Sequence, residues 1–179
     1  MKRGAPRRLS LLRVRPMAGD RARGRLTAGP FRCQCALGPA GIVRLKREGD
    51  KGTPAGRFKL LWGYYRPDQP RPQAGGVPLR PLRPDQGWCE DSASPRYNRP
   101  VRLPARDVTD KMWRADHLYD LVFVLDQNFT RRAKGRGSAI FFHLARPCLT
   151  PTAGCVAISA DDMRKLAPRL ARGAVMEIG

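Results

Sequence analysis

The sequence predicts a mostly β fold with one or two short helices. Three observations carry this. The chain of 179 residues holds 18 Gly and 17 Pro, a density of turn-formers that suits short strands joined by loops and not a helical bundle. The run Leu121–Leu125 is continuously apolar, the mark of a central strand buried on both faces. The helix start signal, Ser159 three residues before Asp162, comes only near the C-terminus. Hydrophobic residues make up 41%, enough for a packed domain. No run approaches the roughly 18 apolar residues of a membrane-spanning helix.

The elements follow in order. Residues 1–29 hold nine Lys/Arg and one acid, Asp20. Leu9-Ser10-Leu11-Leu12 is cut short by Arg13 and Arg15, so no apolar stretch of secretory-signal length is recognised. Arg7-Arg8 resembles a twin-arginine start, with nothing apolar after it. The segment reads as a basic N-terminal extension or as a first, edge strand through Leu9 and Val14. A start at Met17 and an organelle transit peptide are further readings. Residues 30–179 read as one domain. Gly49–Gly56 is a turn, and Arg57–Trp62 a strand. Residues 66–87, with six prolines and three glycines, read as a long loop. Ser138–Ala145 alternates, with Ile140, Phe142 and Leu144 on one face and Phe141 and His143 on the other. Val156–Ser159 is a strand. A helix is expected from Ala160 to about Leu170, kinked or shortened by Pro168. Gly173 ends it, and Ala174–Ile178 closes the chain as a strand.

Charge narrows the partners. Lys+Arg count 35 against 15 Asp+Glu, a net charge of +20. Such a surface attracts an anionic cell-wall polymer, an anionic membrane or nucleic acid, the last being the least favoured. The cysteines at 33, 35, 89, 148 and 155 form no C-x-x-C pair. Cys33-Gln34-Cys35 is a weak metal signal in a chain with two His, and neither a metal nor a cofactor is expected.

Chemistry concentrates in His143–Ala157. A strand carrying His143 leads through a Pro-rich loop to Thr152-Ala153-Gly154-Cys155 and another strand. Neighbouring strands would bring imidazole and thiol together. A free thiol has a pKa of about 8.5 and needs a base to become a good nucleophile at neutral pH. Gly154 lets the backbone approach a substrate carbonyl, and the amides of Gly154 and Cys155 can face an oxyanion. Thr152 can orient the imidazole tautomer. The alternative is a core cysteine and a satisfied core histidine.

This pattern resembles the signature of the L,D-transpeptidase (YkuD-like) catalytic domain, a His followed by Ser/Thr-His-Gly-Cys. Lys46–Phe58, with its Gly52-Thr53-Pro54-Ala55-Gly56-Arg57-Phe58, is similar to a second family segment. Trp88-Cys89-Glu90-Asp91, Tyr97–Val101 and Asp116–Asp120 look like the ErfK/YbiS/YcfS/YnhG-type branch. Three positions depart: Ala153 replaces the usual His, Ala157 the usual Arg or Asn, and Leu144 the usual Gly. The resemblance implies a β-sandwich-like catalytic domain in the periplasm or cell envelope. It implies acyl transfer on peptidoglycan stem peptides through a Cys155 thioester, serving cell-wall biogenesis and cell shape.

Other residues admit two readings each. Trp88, Asp91, Tyr97 and Asn98 form a substrate-facing wall or a structural turn. Arg146 binds a substrate carboxylate or is solvated. His117 is catalytic or a surface histidine. Cys148 forms a regulatory disulfide or is inert. The rival to an enzyme is a degenerate, basic binding protein for cell-wall polymer or nucleic acid, favoured by Ala153 and Ala157.

Overall fold

The computed structural model describes residues 8–179; Arg7 of the Arg7-Arg8 pair lies outside them. The elements are β1 (Leu9–Met17), β2 (Asp20–Ala28), β3 (Phe31–Ala36), β4 (Ile42–Val43), β5 (Thr53–Pro54), β6 (Gly56–Tyr65) and β7 (Leu79–Pro81). They continue with β8 (Gln86–Cys89), β9 (Pro100–Arg102), β10 (Thr109–Lys111), β11 (Leu121–Leu125), β12 (Phe141–Leu144), β13 (Val156–Ile158), α1 (Ala160–Leu166) and β14 (Leu170–Ile178). The fold is mostly β, as the turn density predicts.

Nine strands form one sheet in the order β11-β12-β13-β3-β2-β1-β14-β6-β7. Strand β6 also pairs with β11. All but β7 therefore close into a ring. Its interior is filled by Leu12, Val14, Leu26, Leu60, Phe123, Phe142, Ile158 and Met176. A second core lies outside the ring, where Tyr64, Val122, Val124, Phe141 and Cys155 meet Leu82, Trp88 and Met112. A small sheet in the order β10-β8-β9 supplies part of that cover. Strand β11 thus sends Phe123 inward and Val122 and Val124 outward into apolar surroundings on both sides. This is the physical origin of its unbroken apolar run.

Residues 9–28, set apart by composition, form β1 and β2 of this same sheet. Strand β1 is not an edge. It pairs antiparallel with β2 and parallel with β14. The register against β14 shifts between Leu9 and Leu11, so Leu9 and Leu12 are both buried. Its arginines mark the outer face of a paired strand and not an open edge. Met17 closes β1, so a chain begun there would lack this strand.

Several boundaries differ from the sequence reading. Ala139 has a φ of 51°, and β12 is extended only from Phe141. The two faces expected of this segment are nevertheless found: Ile140, Phe142 and Leu144 belong to the ring interior and Phe141 to the outer core. The 66–87 segment is not one loop, because Leu79–Pro81 adds alongside β6 and β8 begins at Gln86. Ser159 caps α1: its Oγ accepts from the Asp162 amide at 3.0 Å and donates to the Asp162 carboxylate at 2.7 Å. The helix stops at Leu166, and Pro168 sits in a short 3-10 turn, since proline has no amide to continue the ladder. Gly173 does not end the helix. It lies within β14 at a φ of 68°.

Candidate active site

Strands β12 and β13 are parallel neighbours, with Phe142 opposite Val156 and His143 opposite Ala157. The connection between them carries a 3-10 turn at Pro147–Leu149 and then the Thr152–Cys155 turn. Cys155 sits just before β13. Its thiol donates to the Ala139 carbonyl at 3.1 Å and accepts from the Phe141 amide at 3.3 Å. Burial pushes the thiol pKa up to about 12, and the nearby Asp110 and Glu90 add to this; the Phe141 amide and Lys46 act the other way.

His143 is buried beside it. Its Nδ1 lies 2.8 Å from the Leu144 carbonyl. A carbonyl only accepts, so Nδ1 carries the proton and Nε2 presents a lone pair. Burial depresses the imidazole pKa to about 4; Arg114 and Arg146 contribute, and the Leu144 bond opposes. The Tyr119 ring meets His143 edge-on at 5.2 Å. His143, Cys155, Thr152 and Ala153 all line one cleft of about 290 Å³. The resting thiol is directed at Ala139 and not at the imidazole.

Two expected roles change. Thr152 does not orient the imidazole; the Leu144 carbonyl does. The Thr152 hydroxyl donates to the Cys155 carbonyl at 2.7 Å and accepts from the Gly154 amide at 3.1 Å. It closes the turn. The Gly154 amide is therefore occupied and is not an oxyanion donor. Gly154 serves by its missing side chain: at a φ of 137°, a Cβ there would stand 2.7 Å from the Gly52 carbonyl. The Gly52-Thr53-Pro54 segment thus packs directly beneath the cysteine turn. Thr53 holds it by accepting from the Gly38 amide at 2.9 Å.

The L,D-transpeptidase catalytic-domain family (YkuD) matches residues 18–178. The chain belongs to this family. Comparison with curated proteins finds none that matches it. L,D-transpeptidases act on peptidoglycan peptides and are generally associated with the cell envelope. Among the described residues, no helix is long and apolar enough to cross a membrane.

In this L,D-transpeptidase domain the Trp88–Asn98 group is not a substrate wall. Trp88 and Tyr97 are buried at 1% and 0% exposure. The Trp88 indole donates to Asn98 Oδ1 at 2.9 Å, and the same oxygen accepts from the Ala139 amide at 3.1 Å. Asn98 Nδ2 donates to the carbonyls of Gln127 and Asn128. The Tyr97 hydroxyl donates to Glu48. Asp91 accepts from the Ala93 amide within its own turn. This network reaches the cysteine indirectly, because Asn98 fixes Ala139 and the Ala139 carbonyl holds the thiol.

Arg146 does line the cleft and pairs with Asp116 at 3.2 Å. His117 is exposed, pairs with Asp120 at 2.9 Å and lies outside the cleft lining. Cys148 is exposed, and all five cysteines are free. Burial pushes Cys33 and Cys35 up to about 12. Cys35 packs in the ring interior and Cys33 against it.

Sequence reasoning missed four further residues lining the cleft: Glu90, Asp110, Arg114 and Tyr119. The Tyr119 hydroxyl donates to Asp110 at 2.7 Å. Arg114 reaches both Asp116 and Asp110. Burial pushes Glu90 up to about 7, and Asp110 and Glu48 add to this. The available signal was scarcity. In a chain with only 15 acids, Glu90 inside the Trp88–Asp91 motif was a readable candidate, and Asp110, outside every motif, carried no signal of its own.

Proposed function

We propose that this domain is a cysteine-dependent L,D-transpeptidase working on peptidoglycan stem peptides through a thioester acyl-enzyme. One observation carries the reading: in a chain of this family, Cys155 and an Nδ1-protonated His143 line the same cleft. In the first half-reaction the thiol swings from Ala139 and passes its proton to His143 Nε2. Sulfur attacks the carbonyl carbon of the third stem residue, a diamino acid. The carbon–nitrogen bond to the terminal D-Ala breaks, and the imidazolium returns its proton to the departing amine. The Cys155 amide is the oxyanion donor we assign, Gly154 being engaged with Thr152. In the second half-reaction an amine from another stem, a D-amino acid or water attacks the thioester. His143 takes its proton, the carbon–sulfur bond breaks and the thiol is restored. Cross-linking, exchange and carboxypeptidation are the three outcomes.

The depressed His143 and raised Cys155 pKa values mean that both groups are neutral at rest. Proton transfer therefore accompanies attack and does not precede it as a standing ion pair.

The test is mass spectrometry of protein incubated with tetrapeptide-bearing muropeptides. The expected result is D-Ala release with an acyl adduct on Cys155. Cys155→Ala abolishes both, and His143→Ala slows release by about 10²–10⁴-fold. Undiminished release by folded Cys155→Ala protein overturns the mechanism. The second reading, a degenerate basic protein that binds cell-wall polymer or nucleic acid, is favoured by the raised thiol pKa and by Ala153 and Ala157. Neither adduct nor product from folded wild-type protein would select it.

A further inference from the structure

The positive charge is not spread evenly. Cross-strand register collects much of it on one outer wall of the ring. Arg57 on β6 stands opposite Glu177 on β14, which stands opposite Arg13 on β1. Arg13 in turn faces Thr27 on β2, and Thr27 faces Arg32 on β3. The next rung pairs Arg15 with Arg25. Lys59 joins through Val175. Paired residues share a face, and Arg13, Arg15, Arg25, Arg32, Arg57 and Lys59 are all exposed. The single acid in these rungs, Glu177, is shared by Arg13, Arg15 and Arg57 at 2.7–3.5 Å. Arg25 and Arg32 lie outside that shared network.

The wall continues into a depression of about 450 Å³ lined by Arg8, Arg13 and Arg169 together with Leu9, Leu11 and Pro30. No acid lines it. Guanidinium groups bind phosphate oxygens in pairs, and the apolar lining suits the carbon skeleton that carries a lipid phosphate.

The position of the wall matters as much as its charge. Around the ring, β13, β3 and β2 separate β12 from β1 on one side, and β11, β6 and β14 separate them on the other. Strand β1, the centre of the basic wall, is thus diametrically opposite β12, which carries His143.

We propose that this wall, spanning β6, β14, β1, β2 and β3, seats the protein on an anionic phospholipid surface with the catalytic cleft facing away from it. A bilayer is favoured over nucleic acid by the shape and chemistry of the wall. It is the convex outside of a ring, its charges spread in two dimensions, and the non-cationic outward positions in these rungs are Leu11, Thr27, Gln34, Val175 and Glu177. Base stacking, the usual complement to phosphate binding on single strands, has no aromatic platform in these rungs. Clustered Lys and Arg near a bilayer act through its negative surface potential.

Vesicle flotation of the full chain tests this, with phosphatidylcholine vesicles containing or lacking phosphatidylglycerol. The expected result is binding only to the anionic vesicles, weakened by added salt. Arg25→Glu/Arg32→Glu reduces it about tenfold or more. Arg131→Glu/Arg136→Glu makes the same change of charge at exposed sites in another part of the chain and leaves binding largely intact. Thermal melts establish that each variant folds, and Arg25→Gln/Arg32→Gln replaces the reversal if it does not. Equal losses in the two Glu variants would reduce the effect to net charge and overturn the assignment. Wild-type protein that ignores anionic vesicles overturns it too, as does retention of a single-stranded oligonucleotide without vesicle binding.

Discussion

At the scale of single residues, the imidazole of His143 is held neutral by its surroundings. Its ordinary pKa of 6.5 falls to about 4 in the fold. Between these values the unfolded chain binds more protons than the folded one, so stability rises with pH across this window. The contribution is complete above 6.5 and lost as pH falls through about 4, by ~3 kcal/mol at most. Glu90 acts with the opposite sign. Raised from 4.5 to about 7, it holds its proton longer in the fold and costs stability as pH rises through that interval. Urea unfolding across pH 4–7 separates them: His143→Gln should flatten the acid loss, and Glu90→Gln should steepen the rise. A His143→Gln protein with the wild-type pH slope would contradict the neutral buried imidazole. If His143 is the base proposed above, the acid limb of a kcat/KM–pH profile should fall near pH 4 and not near 6.5. Gly154 poses a purely steric demand. Gly154→Ala forces a side chain into the left-handed region and against the Gly52 carbonyl, and should cost about 2 kcal/mol or more in denaturant unfolding.

At the scale of elements, the site depends on how β12 begins. Asn98 spans from Trp88 to the Ala139 amide and to the Gln127 and Asn128 carbonyls. Those groups are largely buried, so Asn98→Ala leaves them unpaired and should destabilise the fold by about 2–3 kcal/mol. It should also free the Ala139 carbonyl to move and speed alkylation of Cys155, read by mass spectrometry after iodoacetamide. Lower stability with unchanged thiol reactivity would break the proposed link. This element-level role was not legible beforehand. Trp, Tyr and Asn suit a substrate wall as well as a buried network, and only burial distinguishes the two. The α1 cap was legible, because Ser159 and Asp162 make their contact within three residues of chain.

At the scale of the whole molecule, closure is the governing feature. Strand β1 is bonded on both sides and contributes Leu12 and Val14, both fully buried, to the ring interior. Deleting residues 1–17 should open the ring between β2 and β14 and abolish a cooperative thermal transition. A truncated protein that still melts cooperatively near the wild-type temperature would show that the ring tolerates the gap. Closure also explains how one sheet serves two cores. Strands β11 and β12 form ring wall on one side and carry the layer that lines the cleft on the other, so His143 and Phe141 point away from the interior that Phe142 fills.

The sequence by itself determined the β class, the strand around Leu121–Leu125, the two faces of Ile140–Leu144, the capped helix start and the pairing of His143 with Cys155 in one site. Each is written in local periodicity, local capping or short ordered motifs. Tertiary structure alone decided the short strands β7, β9 and β10, whose polar or proline-bearing stretches show neither an apolar run nor a readable period. It alone decided that Thr152 and Gly154 build the turn, that Leu144 sets the tautomer, and that Glu90 and Asp110 face the thiol. The Thr152 and Leu144 contacts are local but follow no periodicity or capping pattern, whereas Glu90 and Asp110 in the cleft, like Gly52 beneath Gly154, come from segments distant in sequence that meet only once the chain has folded.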